Sequence, residues 1–300
     1  MLNIVGHKKI FFIISGVFVG AAVFTMLFFG FKEGIDFAGG TLWQFKVSQG
    51  NPTAIDMENV FTSLPGISDV RVNYDLTNGT FLARLNAISE ADHQKFLQNV
   101  KDKTPSFEEL SFQSIGPSVG AELKRNALIA IILVLVGISF YIAFAFRKVQ
   151  RPISSWKYGI ITLITLFHDV AIPAGLLAIL GHFLHIEIDS NFVVALLVVM
   201  GFSVHDTIVV FDRIRENLLL GRGKEDFSAT INASVNQTLA RSINTSLTLI
   251  LVLLAMYFVG PINLRYFVLT LLVGVTTGIY SSIFIASPAL IVISGKNSRN

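Results

Sequence analysis

Gly201-Phe-Ser-Val-His-Asp-Thr-Ile-Val-Val-Phe-Asp-Arg-Ile-Arg-Glu-Asn217 closes a long apolar run and yet carries His205 and Asp206 inside that run. The run, residues 191–211, is long enough to cross a bilayer at about 1.5 Å per residue, and Asp206 lies about 7 to 8 Å in from its polar end. An unpaired carboxylate is costly at that depth. Ionisable groups so placed face a bundle interior or a wet cavity, and they mark ion pathways or proton relays. The stretch therefore reads as a membrane span built around a functional carboxyl group.

Composition agrees. Hydrophobic residues make up 52% of the 300 and charged residues only 14%, far from the balance of a soluble domain. The net charge of +3 comes from Lys and Arg at the ends of apolar runs, a pattern of membrane orientation and not of nucleic-acid binding. Cysteine is absent, which excludes disulfides, thiolate metal sites and a Cys nucleophile.

Residues 10–31 form an uncharged apolar run after Lys8 and Lys9, too long for the core of a signal peptide and without a small-residue cleavage site. It reads as a retained first span, so that residues 1–31 are the N-terminus and first helix. Residues 32–125 turn polar. Strand patterns lie at 41–47, 69–76, 80–85 and 107–113, with helical stretches at 54–64 and 90–101 between them. The order βαββαβ is that of a ferredoxin-like unit, and Asn78-Gly79 fits the turn between its middle strands. Its acidic and His residues form no acid/base or ligand spacing, so it reads as a docking module.

Residues 126–300 supply five more spans, at 127–146, 158–184, 191–211, 242–259 and 266–293, with a charged, helix-forming connector at 213–237 and a break at Gly260-Pro261. The fold class is a polytopic α-helical membrane protein of six helices, with an α+β ferredoxin-like domain between the first and second. The N-terminus, the 147–157 and 213–224 connections and the C-terminus, with Lys148, Arg151, Lys224, Lys296 and Arg299, are basic. Positive connections stay inside, so both termini are expected in the cytoplasm and the ferredoxin-like domain outside.

Four further intramembrane residues join His205 and Asp206. Arg241 begins the fifth span at the depth of Asp206, and an Asp/Arg pair whose carboxyl takes up a proton would release the arginine. His168 and Asp169 lie mid-way along the third span, where Pro173 frees the carbonyl of residue 169 and leaves a polar spot able to hold water, either part of a water or proton path or a hydrogen-bonded group that pins the kink. Arg241, Thr245 and Thr248 share one helix face; such hydroxyls relay protons or bond back to the helix. His182, His185 and Glu187 are better explained as an interfacial turn than as a metal site, and nothing in the sequence calls for a metal or cofactor.

The motifs Gly34-Ile-Asp-Phe-Ala-Gly-Gly40, Ile115-Gly-Pro-Ser-Val-Gly120, His168-Asp169, Ser203 to Asn217 and Asn236-Gln-Thr-Leu-Ala-Arg-Ser-Ile-Asn-Thr-Ser246 together resemble the SecF side of the SecD/SecF family of bacterial protein-export proteins, in the resistance-nodulation-division superfamily. The resemblance implies a multi-pass subunit of the cytoplasmic (inner) membrane that pairs with SecD into a twelve-span assembly. That assembly works beside the SecYEG channel after the SecA motor, and uses the proton-motive force to draw preproteins across. It also implies that Asp206 and Arg241 lie on the proton path. His205 departs from the family pattern, which has Asn before the Asp, and a histidine titrates near physiological pH.

An intramembrane aspartyl protease would need Asp169 and Asp206 close enough to share a proton, yet the sequence places them at different depths. A self-contained small-molecule exporter would need the other half of a repeat-built transporter.

Overall fold

The structure, a computed structural model, describes residues 2–76, 78–147, 154–221 and 226–295. The chain divides into two compact units, Met1–Lys32 with Ile129–Asn300, and Glu33–Leu128.

In the second unit a short α2 (Ile35–Ala38) precedes β1 (Gly40–Val47), α3 (Ala54–Thr62), β2 (Arg71–Asp75), β3 (Thr80–Leu85), α4 (Glu90–Lys103) and β4 (Phe107–Ile115). The strands pair antiparallel in the order β2-β3-β1-β4, the split βαβ arrangement expected from the sequence. Alternation along β1 and β3 turns Trp43, Phe45, Phe81, Ala83 and Leu85 onto one face, where Met57 and Phe61 of α3 and Phe96 and Val100 of α4 bury them. Thr53 and Ser89 cap the two helices by accepting from the backbone N–H of Asp56 and Asp92. The N–H and hydroxyl of Thr53 hold the Asp56 carboxyl below the usual carboxylate range, and the Ser89 hydroxyl does the same for Asp92. Gly79 takes a φ of 65° at the β2–β3 turn, where its N–H donates to the Asp75 carbonyl.

The first unit contains α1 (Lys8–Phe29), the body of α5 (Pro117–Ala145), α6 (Ser155–Leu184), α7 (Ser190–Leu220), α8 (Phe227–Val259), α9 (Arg265–Ser281) and α10 (Ser287–Ser294). A π turn, Ser282–Ala286, joins the last two, so the sixth apolar stretch is a helix with one wide turn and not the uniform helix expected. Among the described residues six helices are long and apolar enough to cross a membrane. Several outrun their apolar runs: α5 starts at Pro117, α7 continues to Leu220, and α8 starts at Phe227. Hydropathy measures the bilayer, whereas a helix continues for as long as its N–H to carbonyl ladder does. The polar ends are tied together, since Asn217 Nδ2 donates to Ser234 Oγ at 2.8 Å and to Gln237 Oε1 at 2.9 Å, and Arg213 Nε to Gln237 Oε1 at 2.6 Å. The expected connector helix is therefore the end of α7 and the start of α8, capped by Asp226. Lys148, Arg151, Lys224, Lys296 and Arg299 lie outside the described residues.

The centre of this unit is α6, α7 and the sixth span, which bury about half of their apolar windows, while α1, α5 and α8 bury far less. Without a hydrophobic drive between helices in lipid, close approach depends on small residues. Gly175 of α6 meets Ala22 of α1, Gly274 of α9 meets Val199, and Gly278 meets Ser203 of α7. A Cβ on Gly175 would lie 2.5 Å from the Ala22 Cα. Gly175→Ala is accordingly expected to cost about 1–3 kcal/mol by overpacking, seen as a lowered unfolding midpoint in detergent. Gly16→Ala, where nothing lies within 4 Å of the added carbon, should leave the midpoint unchanged.

Candidate functional site

Asp169 is fully buried within an apolar helix, so the protein must supply every hydrogen bond it makes. It does so from three helices. His168 Nδ1 lies 2.8 Å from Asp169 Oδ1, Ser203 Oγ of α7 donates to Oδ2 at 2.5 Å, and Ser281 Oγ of α9 donates to Oδ2 at 2.7 Å. The bond to Asp169 puts the proton of a neutral His168 ring on Nδ1, and Nε2 has no hydrogen-bond partner. Pro173 sits inside α6 and cannot donate to the Asp169 carbonyl; the Thr277 hydroxyl approaches that oxygen at 3.5 Å. Gly278 makes the cluster possible, because a side chain there would press on Ser203.

One turn along α7 from Ser203 lies Asp206, 6% exposed and in a different state. Its Oδ2 is buried and has no hydrogen-bond partner among the described residues. The hydroxyls of Ser242 on α8 and Ser282 in the π turn approach the carboxylate, but Ser242 Oγ likewise makes no hydrogen bond, and neither does Ser246 Oγ one turn further along α8. Beside them Thr207 Oγ1 and Ser282 Oγ are 2.8 Å apart. A buried carboxyl group with an open oxygen among hydroxyls can take and give up a proton.

The remaining residues singled out in the sequence go elsewhere. Arg241, Thr245 and His205 are exposed on their helices, and no ion pair joins Arg241 to Asp206 among the described residues. Ser242 of α8, the residue after Arg241, approaches Asp206. Depth does not determine direction: Arg241 is rotated about 100° from Ser242 around the helix. On the same exposed face Thr248 Oγ1 donates back to the Thr245 carbonyl at 2.7 Å, the local bond open to any helical threonine. His182 stacks on Phe29 at 4.3 Å between ring centroids. Asp169 and Asp206 do not form a dyad, because both oxygens of Asp169 are taken by His168, Ser203 and Ser281.

Sequence reading missed the hydroxyls that build the site: Ser203, Ser242, Ser281, Ser282 and Thr207. A signal was present in the pair Ser281-Ser282 inside an apolar run and in the four-residue spacing of Thr238, Ser242 and Ser246.

The chain matches the family described as "Protein export membrane protein SecD/SecF, C-terminal" over residues 95–296. It is 43% identical to the protein translocase subunit SecF of Thermobaculum terrenum, over 99% of this chain and 95% of that one. The identity to the SecF subunit of Anaerolinea thermophila is 38%, covering 100% and 96% of the two chains. The fold is similar to a crystal structure of SecDF from Thermus, a translocon-associated membrane protein, with a TM-score of 0.80 and 31% identity. A super-membrane-facing form of SecDF gives 0.68. In both the match covers 97% of this chain but 38% of the SecDF chain.

The two carboxyl groups should respond differently to the same substitution. Asp169→Asn sets an amide N–H or an unfilled acceptor against three donors and is expected to cost about 1–3 kcal/mol. Asp206→Asn removes a carboxyl group with an open oxygen and should be neutral or stabilising. Thermal unfolding of both variants in one detergent checks this, and the reverse order would contradict the assignment of Asp169 as the tie between helices.

Proposed function

The chain belongs to the SecD/SecF family of protein-export membrane proteins, and from that premise we propose that it couples the proton-motive force to preprotein translocation through Asp206. Like its SecF relatives it is a multi-pass translocase subunit, a transport protein and not an enzyme. In the proposed mechanism it works in the bacterial cytoplasmic membrane with a separate SecD, beside SecYEG, after SecA has begun to push the preprotein. Both termini lie in the cytoplasm and the Glu33–Leu128 unit lies outside, an orientation supported by the basic residues of the inner connections.

The observation that carries the reading is the open Oδ2 of Asp206 in the packed half of the bundle. A proton can bind there without displacing an existing partner, whereas at Asp169 it would have to displace donated bonds. His168, with Nε2 free next to Asp169, is the remaining titratable group of the buried network and extends the path across the span.

SecD is supported as partner by what α7 and α8 expose. Arg241, Asn244, Thr245 and Thr248 on α8 and His205 on α7 are exposed within helices that suit a membrane. A charged or amide side chain against lipid is expensive. The spans of a second subunit covering this face would bring Arg241 and Thr245 into a shared interior, where Arg241 responds to Asp206 across the interface. One charge crossing 100 mV releases about 2.3 kcal/mol, enough to bias a two-state element severalfold and too little to move a long polypeptide in one event. The cycle therefore repeats.

Translocation into inverted vesicles that contain this chain and its SecD tests the proposal. An imposed proton gradient should stimulate wild type and leave Asp206→Asn, inserted and complexed, at the unstimulated rate. Equal stimulation of the two would sink the proton-relay role. Arg241→Leu should also lose stimulation, while Arg241→Lys retains part of it where charge outweighs guanidinium geometry.

A further inference from the structure

Between Asp206 and the polar ends of α7 and α8 the bundle turns apolar. After Thr207 the buried residues of α7 are Val210, Phe211 and Ile214. On α8 the change is sharper. Ser242 Oγ and Ser246 Oγ make no hydrogen bond among the described residues, whereas the hydroxyls of Thr238, Ser234 and Thr230, on successive turns towards the start of the helix, each donate to a main-chain carbonyl four residues back. Ile231 and Val235 are buried between them. A charge is costly in a layer of this kind unless water enters it.

The layer is completed by residues that precede α1. Ile4 and Val5 are 3% and 8% exposed and belong to the same apolar cluster as Val210, Phe211, Ile214, Ile231 and Val235. Two amides one turn apart on α8 hold them there. Asn232 Oδ1 accepts from the N–H groups of Ile4 at 3.0 Å and Val5 at 3.3 Å, and its Nδ2 donates to the Leu2 carbonyl at 3.0 Å. Asn236 Oδ1 accepts from the Leu2 N–H at 2.8 Å, and its Nδ2 donates to the Leu2 carbonyl at 2.9 Å. All five bonds go to main chain, and the Leu2 side chain is left exposed. The segment is shaped for this by its own next turn, in which Asn3 Oδ1 accepts from the Gly6 N–H at 2.9 Å. A Cβ on Gly6 would lie 2.6 Å from that Asn3 side chain.

Such a segment can leave without unfolding the bundle. Its ties are neutral amide bonds at an edge where water can replace either partner, and short pieces with exposed hydrogen bonds are the ones that open locally. The body of α1 stays docked on α6 through Ala22 and Gly175.

We propose that residues 2–5 are a plug that closes the way between Asp206 and the membrane face at which α8 starts, and that Asn232 and Asn236 are its latch. The inference rests on the reading of Asp206 as the proton-carrying residue, and adds a gate on one side of it. With Ile4 and Val5 seated, the layer is dry and a proton on Asp206 is shut off from that face. With them withdrawn, water enters beside Val210 and Phe211. Tyr158, in the same cluster, has a buried hydroxyl without a hydrogen-bond partner among the described residues and gives that water a polar contact. Alternating access needs a closure that opens on one side at a time.

The absence of cysteine permits a single thiol. Val210→Cys, at a fully buried position of the layer, is placed in the full chain in nanodiscs, and its rate of reaction with a water-soluble maleimide is measured. Val199→Cys, equally buried on α7 but packed against α9, is the control on the far side of Asp206. Asn232→Ala together with Asn236→Ala should speed labelling of Val210→Cys about tenfold, as loss of a local closure does, and leave Val199→Cys unchanged. Ile4→Ser, which keeps the latch and spoils the plug, should act in the same direction. In vesicles carrying the chain and its SecD, the double latch variant should also pass protons faster down an imposed gradient, and Asp206→Asn should abolish that gain. An unchanged rate at Val210→Cys in the double variant, or an equal rise at Val199→Cys, overturns the plug and leaves the reading of Asp206 standing. Faster labelling with no faster proton flow, or with a flow that survives Asp206→Asn, removes Asp206 as the proton site and with it the plug as its gate.

Discussion

A carboxylate in the middle of a membrane bundle has no water to fall back on, and the three donated bonds to Asp169 are the constraint from which the packed half of this protein follows. His168 comes from the same helix, Ser203 from α7 and Ser281 from α9. To bring both serines to one carboxylate, α7 and α9 must approach closely, and Gly274 and Gly278 remove the side chains that would keep them apart. The sequence cost of burying one charge is thus a matched set of hydroxyls and glycines on other helices.

Once Ser203 is bound to Asp169, the azimuth of α7 is set. Asp206 and Thr207, one turn on, then face α8 and the π turn, and His205 faces outwards. Two acidic residues of similar burial therefore do different things. Asp169 has its hydrogen bonds filled and ties three helices together; Asp206 has an oxygen without a hydrogen-bond partner among the described residues.

The Glu33–Leu128 unit follows soluble-protein rules instead. Its strands alternate, its helices are capped by Thr53 and Ser89, and an aromatic core around Trp43, Phe45 and Phe61 is buried by α3 and α4. Nothing in its fold depends on an intramembrane charge. A polar, β-rich insertion between two apolar helices is what allows one chain to satisfy both solvents.

The amino-acid sequence by itself determined that six helices suit a membrane and that a βαββαβ unit lies between the first two. Apolar run length and the two-residue strand period are local properties, and they survive folding. It also determined that Asp169 and Asp206 are the buried carboxyl groups, because no other carboxyl group falls deep inside an apolar run. What tertiary structure decided was direction and partnership. Arg241 and Asp206 do not share a face; the serine partners of Asp169 come from residues 34 and 112 positions away; and Pro288 marks in sequence a carbonyl, that of Phe284, without its helical donor, but not that the helix answers with a π turn over Ser282–Ala286. Depth is written along one helix. Azimuth is set only when several helices pack against one another.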